Sequence, residues 1–156
     1  MRTLLIALLV AILPSTAIAS IDLTNQSGDT FRFGNMSWAF LLNLAERYGW
    51  KPAGTAKPEG WKEESKWPGN YDSSDGQTVT SDDAKALAKA VRAALEDKKL
   101  ETRAKELEAD FRRWIEERVG PELAKTYQVG LGKEENYRPH LNKFIEFCNK
   151  GPFMIE

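Results

Sequence analysis

The sequence predicts an α+β fold: one predominantly helical domain of four to five helices, with a small antiparallel sheet built from an N-terminal hairpin and a C-terminal strand. Three observations carry this expectation. Ile21 and Leu23, then Phe31 and Phe33, alternate with polar neighbours, and Phe153-Met154-Ile155 returns to the same period of two at the far end. Between these ends, apolar residues recur at helical spacing in several separate runs. Finally, Asp75-Gly76 followed by Thr80 reads as a tight turn leading into a helix N-cap, the sharpest local signal in the chain.

The elements follow in order. Asn25 to Asp29 is rich in turn formers, which joins the two alternating runs into a hairpin. Two strands alone are marginal, so the C-terminal strand is expected to pair with them. Trp38, Leu41, Leu42, Ala45 and Tyr48 lie on one helical face, with Asn35 or Ser37 as the cap and Gly49 as the stop. From Trp50 to Tyr71 the periodicity is lost: Pro52, Gly54, Pro58, Gly60, Pro68 and Gly69 interrupt it. Thr80 then caps a helix through Ala84, Leu87, Ala88, Val91 and Leu95, with Asp83 in the capping-box position and Val79 placed to staple against Ala84. Lys98-Lys99 is a candidate break. Leu100, Ala104, Leu107, Phe111, Trp114 or Ile115, and Val119 continue the stripe, supported by Glu101 with Lys105 and Glu108 with Arg112 at i,i+4. Gly120-Pro121 ends that helix and opens a short one through Leu123, Ala124 and Tyr127. A last helix is expected from Pro139 to Lys150, carrying Leu141, Phe144, Ile145 and Cys148 on one side, before Gly151-Pro152 stops it.

The first nineteen residues read as a secretory signal peptide. Arg2 supplies the positive start, Leu4 to Leu13 is an uninterrupted apolar run, Pro14 breaks it, and Ala17-Ile18-Ala19 is a small-x-small cleavage pattern. The run is shorter than the roughly 20 apolar residues that cross a bilayer, so cleavage after Ala19 is favoured over anchoring. The expected mature chain, Ser20 to Glu156, suits a single domain and leaves no membrane span; periplasmic or secreted localisation follows. Loss of Arg2 takes the formal net charge from -1 to -2, with both signs mixed along the chain. Nucleic acid and anionic membrane surfaces are therefore poor electrostatic partners. Asn25-Gln26-Ser27 and Asn35-Met36-Ser37 match the glycosylation acceptor pattern, which has meaning only in a eukaryotic source.

The residue inventory points away from familiar catalytic chemistry. Cys148 is the only cysteine and His140 the only histidine, which precludes an internal disulfide. Eight residues along one helix hold them about 12 Å apart axially, too far for a nucleophile and its base. Cys148 shares its face with Leu141, Phe144 and Ile145, which predicts a buried apolar role, and His140 in an early turn reads as a surface residue. One His and one Cys do not make a zinc site, and no cofactor is indicated. Ser73, Asp75, Gly76 and Asp82 fall on places of a calcium-loop register, but Tyr71 stands where the first carboxylate is required, leaving a plain Asp-Gly turn. The 23 acids are scattered, so no catalytic pair is singled out.

The feature that invites a functional reading is the aromatic group Trp50, Trp61, Trp67 and Tyr71 on the Pro/Gly-rich stretch. Such rings form a stacking platform for a sugar, a peptide or a partner protein when exposed. The competing expectation is that the loop folds back and the rings complete the core, as large aromatics usually do.

Phe40 to Thr55, Asp75 to Thr80 and Phe144 to Cys148 together resemble segments of a group of uncharacterised small exported bacterial proteins. The likeness covers about half of the mature chain, and Leu100 to Gly132 is longer here than in that group. The resemblance implies no activity and no functional residue. The functional expectation is thus a non-enzymatic exported binding module for a protein or glycan of the cell envelope. Its alternatives are a small hydrolase of cell-envelope glycan working through acidic residues, and an inhibitor or immunity-type protein.

Overall fold

The computed structural model describes residues 20–62 and 66–156; the expected leader, residues 1–19, lies outside the described residues. The hairpin forms as expected, from β1 (Ser20–Asn25) and β2 (Thr30–Gly34) in antiparallel register with Ile21 opposite Phe33 and Leu23 opposite Phe31. Its turn is held by Asn25, whose Oδ1 accepts the amides of Ser27 and Asp29, both at 3.0 Å.

The chain then enters α1 (Asn35–Arg47) directly from β2, with Gly34 as the N-cap residue and no side-chain cap. After the irregular stretch come β3 (Gln77–Val79), α2 (Ser81–Glu96), α3 (Leu100–Val119), the single turn α4 (Pro121–Ala124), α5 (Glu134–Asn149) and β4 (Phe153–Ile155). The sheet has four strands in the order β2-β1-β4-β3, every neighbouring pair antiparallel.

The α+β class therefore holds, with two adjustments to the elements. A third component of the sheet, β3, occupies residues expected only to lead from the Asp75-Gly76 turn into the cap. Its three residues are strand because β4 lies alongside them, with Gln77 opposite Ile155 and Val79 opposite Phe153. The last helix begins at Glu134 rather than Pro139. Pro139 lies inside the helix, at its sixth position, and removes the N–H that would bond Glu135 O; the helix still starts ahead of it, where Glu134 and Glu135 favour the positive N-terminal end and Arg138 Nε bonds Glu134 at 2.8 Å.

One face of the sheet is packed and the other is solvated, as the alternation requires. Ile21, Leu23, Phe33, Val79, Phe153 and Ile155 are buried, while Asp22, Thr24, Thr78 and Met154 on the opposite face are partly exposed. α5 lies under the packed face: Phe144 meets Phe31 and Phe33, and Phe147 meets Phe153. α2 packs along α5, and α1 packs against α2 and α3, closing a core that includes Trp38, Phe40, Leu44, Leu87 and Val91.

Candidate functional site

The irregular stretch is fastened at both ends by one carboxylate. α1 finishes in a Schellman motif: Gly49, at φ +93, donates its N–H to Glu46 O, and Trp50 donates its own to Ala45 O, each at 3.0 Å. This geometry turns the Trp50 ring inward, where it is 3% exposed, and its Nε1–H reaches Asp83 Oδ1 at 2.9 Å. Asp83 is at the third position of α2, and Thr80 Oγ1 accepts its amide at 3.4 Å, the N-cap bond expected from the sequence. Its carboxylate, however, serves the loop. The second oxygen accepts from Tyr71 Oη at 2.5 Å, and Tyr71 Oη in turn accepts the Gly54 N–H at 2.8 Å. Burial and the Asp83 carboxylate push the Tyr71 phenol well above its ordinary pKa. Trp38 Nε1 completes the cluster by donating to Tyr71 O at 2.6 Å.

Of the four rings proposed from the sequence as ligand-binding, Trp50 and Tyr71 are thus core residues, stacked edge to face with centroids 5.1 Å apart. Trp61 and Trp67 form a separate pair, 4.8 Å apart and edge to face, and both are half-buried. Trp67 Nε1 donates to Thr55 O at 2.9 Å, and Thr55 Oγ1 donates to Asn70 O at 2.8 Å, so the two limbs of the loop clasp each other. Gly54 and Gly69 lie back to back there: a Cβ on Gly69 would stand 3.3 Å from Gly54 Cα. Ala56 exchanges two backbone bonds with Thr78, at 2.8 and 3.1 Å, which covers the outer edge of β3.

A second region, which the sequence reading did not single out, is a cleft of about 380 Å³ between β2, the start of α1, the α4–α5 connection and the first half of α5. Phe33, Phe40, Leu41, Leu131, Tyr137 and Leu141 form an apolar wall, and Arg32, Ser37, Asn136 and His140 supply the polar groups. Arg32 is the one formally charged residue of the lining, and its guanidinium is already paired with the Asp22 carboxylate of β1, Nε to Oδ1 at 2.5 Å and Nη2 to Oδ2 at 2.9 Å. His140 is on the surface, as expected, but its ring rests on Phe31 and Phe33 with centroids at 4.6 and 5.1 Å. Partial burial of the ring, and secondarily Lys143, lower its pKa below the usual 6.5 and favour the neutral imidazole. In the sequence, only the Phe33 alternation and the neighbouring Leu41 of the following helix signalled this cleft; the opposite wall comes from residues 130–141, about a hundred positions away.

Beyond the shared wall of Leu131 and Tyr137 lies a more polar depression of about 480 Å³ with Glu101, Lys105, Glu108, Lys133 and Glu134 around it. Glu108 and Glu134 are engaged by Arg112 and Arg138, four residues on. Cys148 is fully buried, and burial raises its thiol far above the ordinary range. Among the described residues, no three His, Cys, Asp or Glu side chains gather as metal ligands, and no helix is long and apolar enough to cross a membrane. Comparison with protein-family models, with curated proteins and with solved structures gives no significant match.

Proposed function

We propose that the chain is an exported, non-enzymatic binding module for a protein or glycan of the cell envelope, and that its ligand surface is the cleft around Arg32, Asn136 and His140. The observation that carries this reading is the make-up of the cleft: an apolar wall with a few convergent polar groups, the pattern of a ligand site. A glycan hydrolase needs two carboxylates flanking one bond, one of them shielded. The shielded carboxylate among the described residues is Asp83, which is 3% exposed and enclosed by Trp50 and Tyr71.

A second reading keeps the loop as the contact surface and is favoured by one observation, the half-exposed edge-to-face pair of Trp61 and Trp67. An amide NMR screen with short peptides and oligosaccharides separates the two. Shifts clustered at Phe33, Asn136 and His140 support the cleft. Hits that move only residues beside Trp61 and Trp67 overturn it in favour of the loop.

A further inference from the structure

The polar groups around the cleft divide into those whose bonding capacity is spent and those whose capacity is not. The charge is spent: both oxygens of Asp22 hold the Arg32 guanidinium on the solvated face of the sheet, and no other lining residue is formally charged at neutral pH. The uncharged groups are unspent. Among the described residues, the side chains of Ser37, Asn136 and His140 make no hydrogen bond to another protein group, and all three stand exposed at the rim. Behind them the wall is apolar, with the rings of Phe33, Phe40 and Tyr137 buried.

We infer that the cleft takes one uncharged aromatic side chain with a hydrogen-bonding group, a tyrosine or a tryptophan, presented by a partner protein. This deepens the binding reading and rests on it. An ionised group covered by this wall would give up its water and find no free opposite charge, which is costly. A leucine or phenylalanine would strip water from Ser37, Asn136 and His140 and leave them without partners, a penalty of the same kind. A sugar ring carries hydroxyls on most of its carbons, more than three side chains at one rim can satisfy, and an apolar wall satisfies none. Tyrosine and tryptophan bring an apolar body with a single polar atom at its edge, which matches an apolar wall behind a polar rim. The cavity of about 380 Å³ is at the small end of the range for ligand pockets and suits one side chain rather than an extended ligand. Both residues recur as buried anchors at the centres of protein interfaces.

The test titrates the full chain, followed by amide NMR, with the N-acetyl amides of tyrosine, tryptophan, phenylalanine, leucine and arginine, and with N-acetylglucosamine. The tyrosine and tryptophan amides are expected to shift Phe33, Ser37, Asn136 and His140, and the tyrosine amide should bind about threefold or more tightly than the phenylalanine amide, the ratio that one hydrogen bond supplies. His140→Phe keeps a ring against Phe31 and Phe33, and Asn136→Leu keeps the bulk of the side chain. Together they should erase the preference for tyrosine while preserving the affinity for the phenylalanine amide; a merely structural role would weaken both probes alike. Heptapeptides selected against the full chain from a random phage library should each carry a Tyr or Trp, and Ala in its place should abolish their binding.

The proposal is overturned if the phenylalanine or leucine amide matches the tyrosine amide, if the arginine amide binds best, if the double variant weakens the tyrosine and phenylalanine amides equally, or if the selected peptides lack Tyr and Trp. Cleft shifts with N-acetylglucosamine alone replace the aromatic side chain by a glycan and leave the cleft reading standing. Binding of the aromatic amides without any peptide binder replaces the protein partner by a small aromatic ligand. Shifts confined to the surroundings of Trp61 and Trp67, or no shifts with any probe at millimolar concentration, overturn the cleft reading as well.

Discussion

Asp83 is the carboxylate on which the loop and the core are joined, and removing one of its donors has a calculable cost. Tyr71→Phe keeps the ring and its packing on Trp50 but deletes the hydroxyl that donates to Asp83 and accepts from Gly54. A hydrogen bond to a charged group is worth about 1.5–3 kcal/mol, and the stranded Gly54 amide adds to the loss, so about 2–3 kcal/mol is expected. Asp83→Asn retains the shape but offers one acceptor to two donors, for a loss of about 2 kcal/mol. Because the two substitutions break the same bond, the double variant should fall short of their sum by about 1–2 kcal/mol. Urea unfolding followed by tryptophan fluorescence reads this directly. The midpoint should drop by roughly 1 M for each single variant with the slope unchanged. Single losses below about 0.5 kcal/mol, or a double variant that is simply additive, would refute the claim that this cluster fastens the loop.

Three further outcomes follow from the same geometry. Gly69→Ala should destabilise by about 1–2 kcal/mol or more, since Gly69 sits at φ +71 and its new Cβ would press on the Gly54 backbone; an unchanged melting temperature would disprove the close approach. Cys148 should resist a thiol reagent such as DTNB in the native state and react only as urea unfolds the chain, because the thiol is buried and its thiolate disfavoured; rapid native labelling would contradict this. His140 should titrate below 6.5 by NMR, owing first to burial and then to Lys143. A depressed folded-state value means the unfolded chain binds the proton more readily. Stability from this group is therefore complete above about pH 6.5 and is lost as the pH falls through the folded value, and His140→Gln should flatten that part of the stability profile.

What could be read in the sequence was local. The Thr80 cap, the Gly49 stop, the Lys98-Lys99 break and the Gly120-Pro121 boundary each depend on residues a few positions apart, and each appears where expected. What escaped was decided by distant neighbours. Asp83 looked like a capping-box acid because its position in the helix is right for one, yet Trp50, 33 residues earlier, and Tyr71, 12 residues earlier, take its oxygens instead. β3 is too short to show a period, and only the approach of β4 makes it a strand. Pro139 signals a helix start because proline favours first turns, whereas the helix already begins at Glu134, with Glu134 and Glu135 in its first turn. The cleft was the least legible feature, since its walls are drawn from β2, α1, the α4–α5 connection and α5, and no single stretch announces it.

The limb of the loop from Gly54 to Ala56 has one more consequence, for amide hydrogen exchange. These three successive amides belong to no named helix or strand, yet Gly54 donates to Tyr71 Oη, Thr55 to Gly69 O and Ala56 to Thr78 O. Each partner is fixed in turn by α2, by the opposite limb or by the sheet. None of the three can open by fraying of its own segment. They are expected to exchange with the slow kinetics of α2 and β4, as members of the same foldon, so that a stretch without regular structure is protected like the centre of a helix.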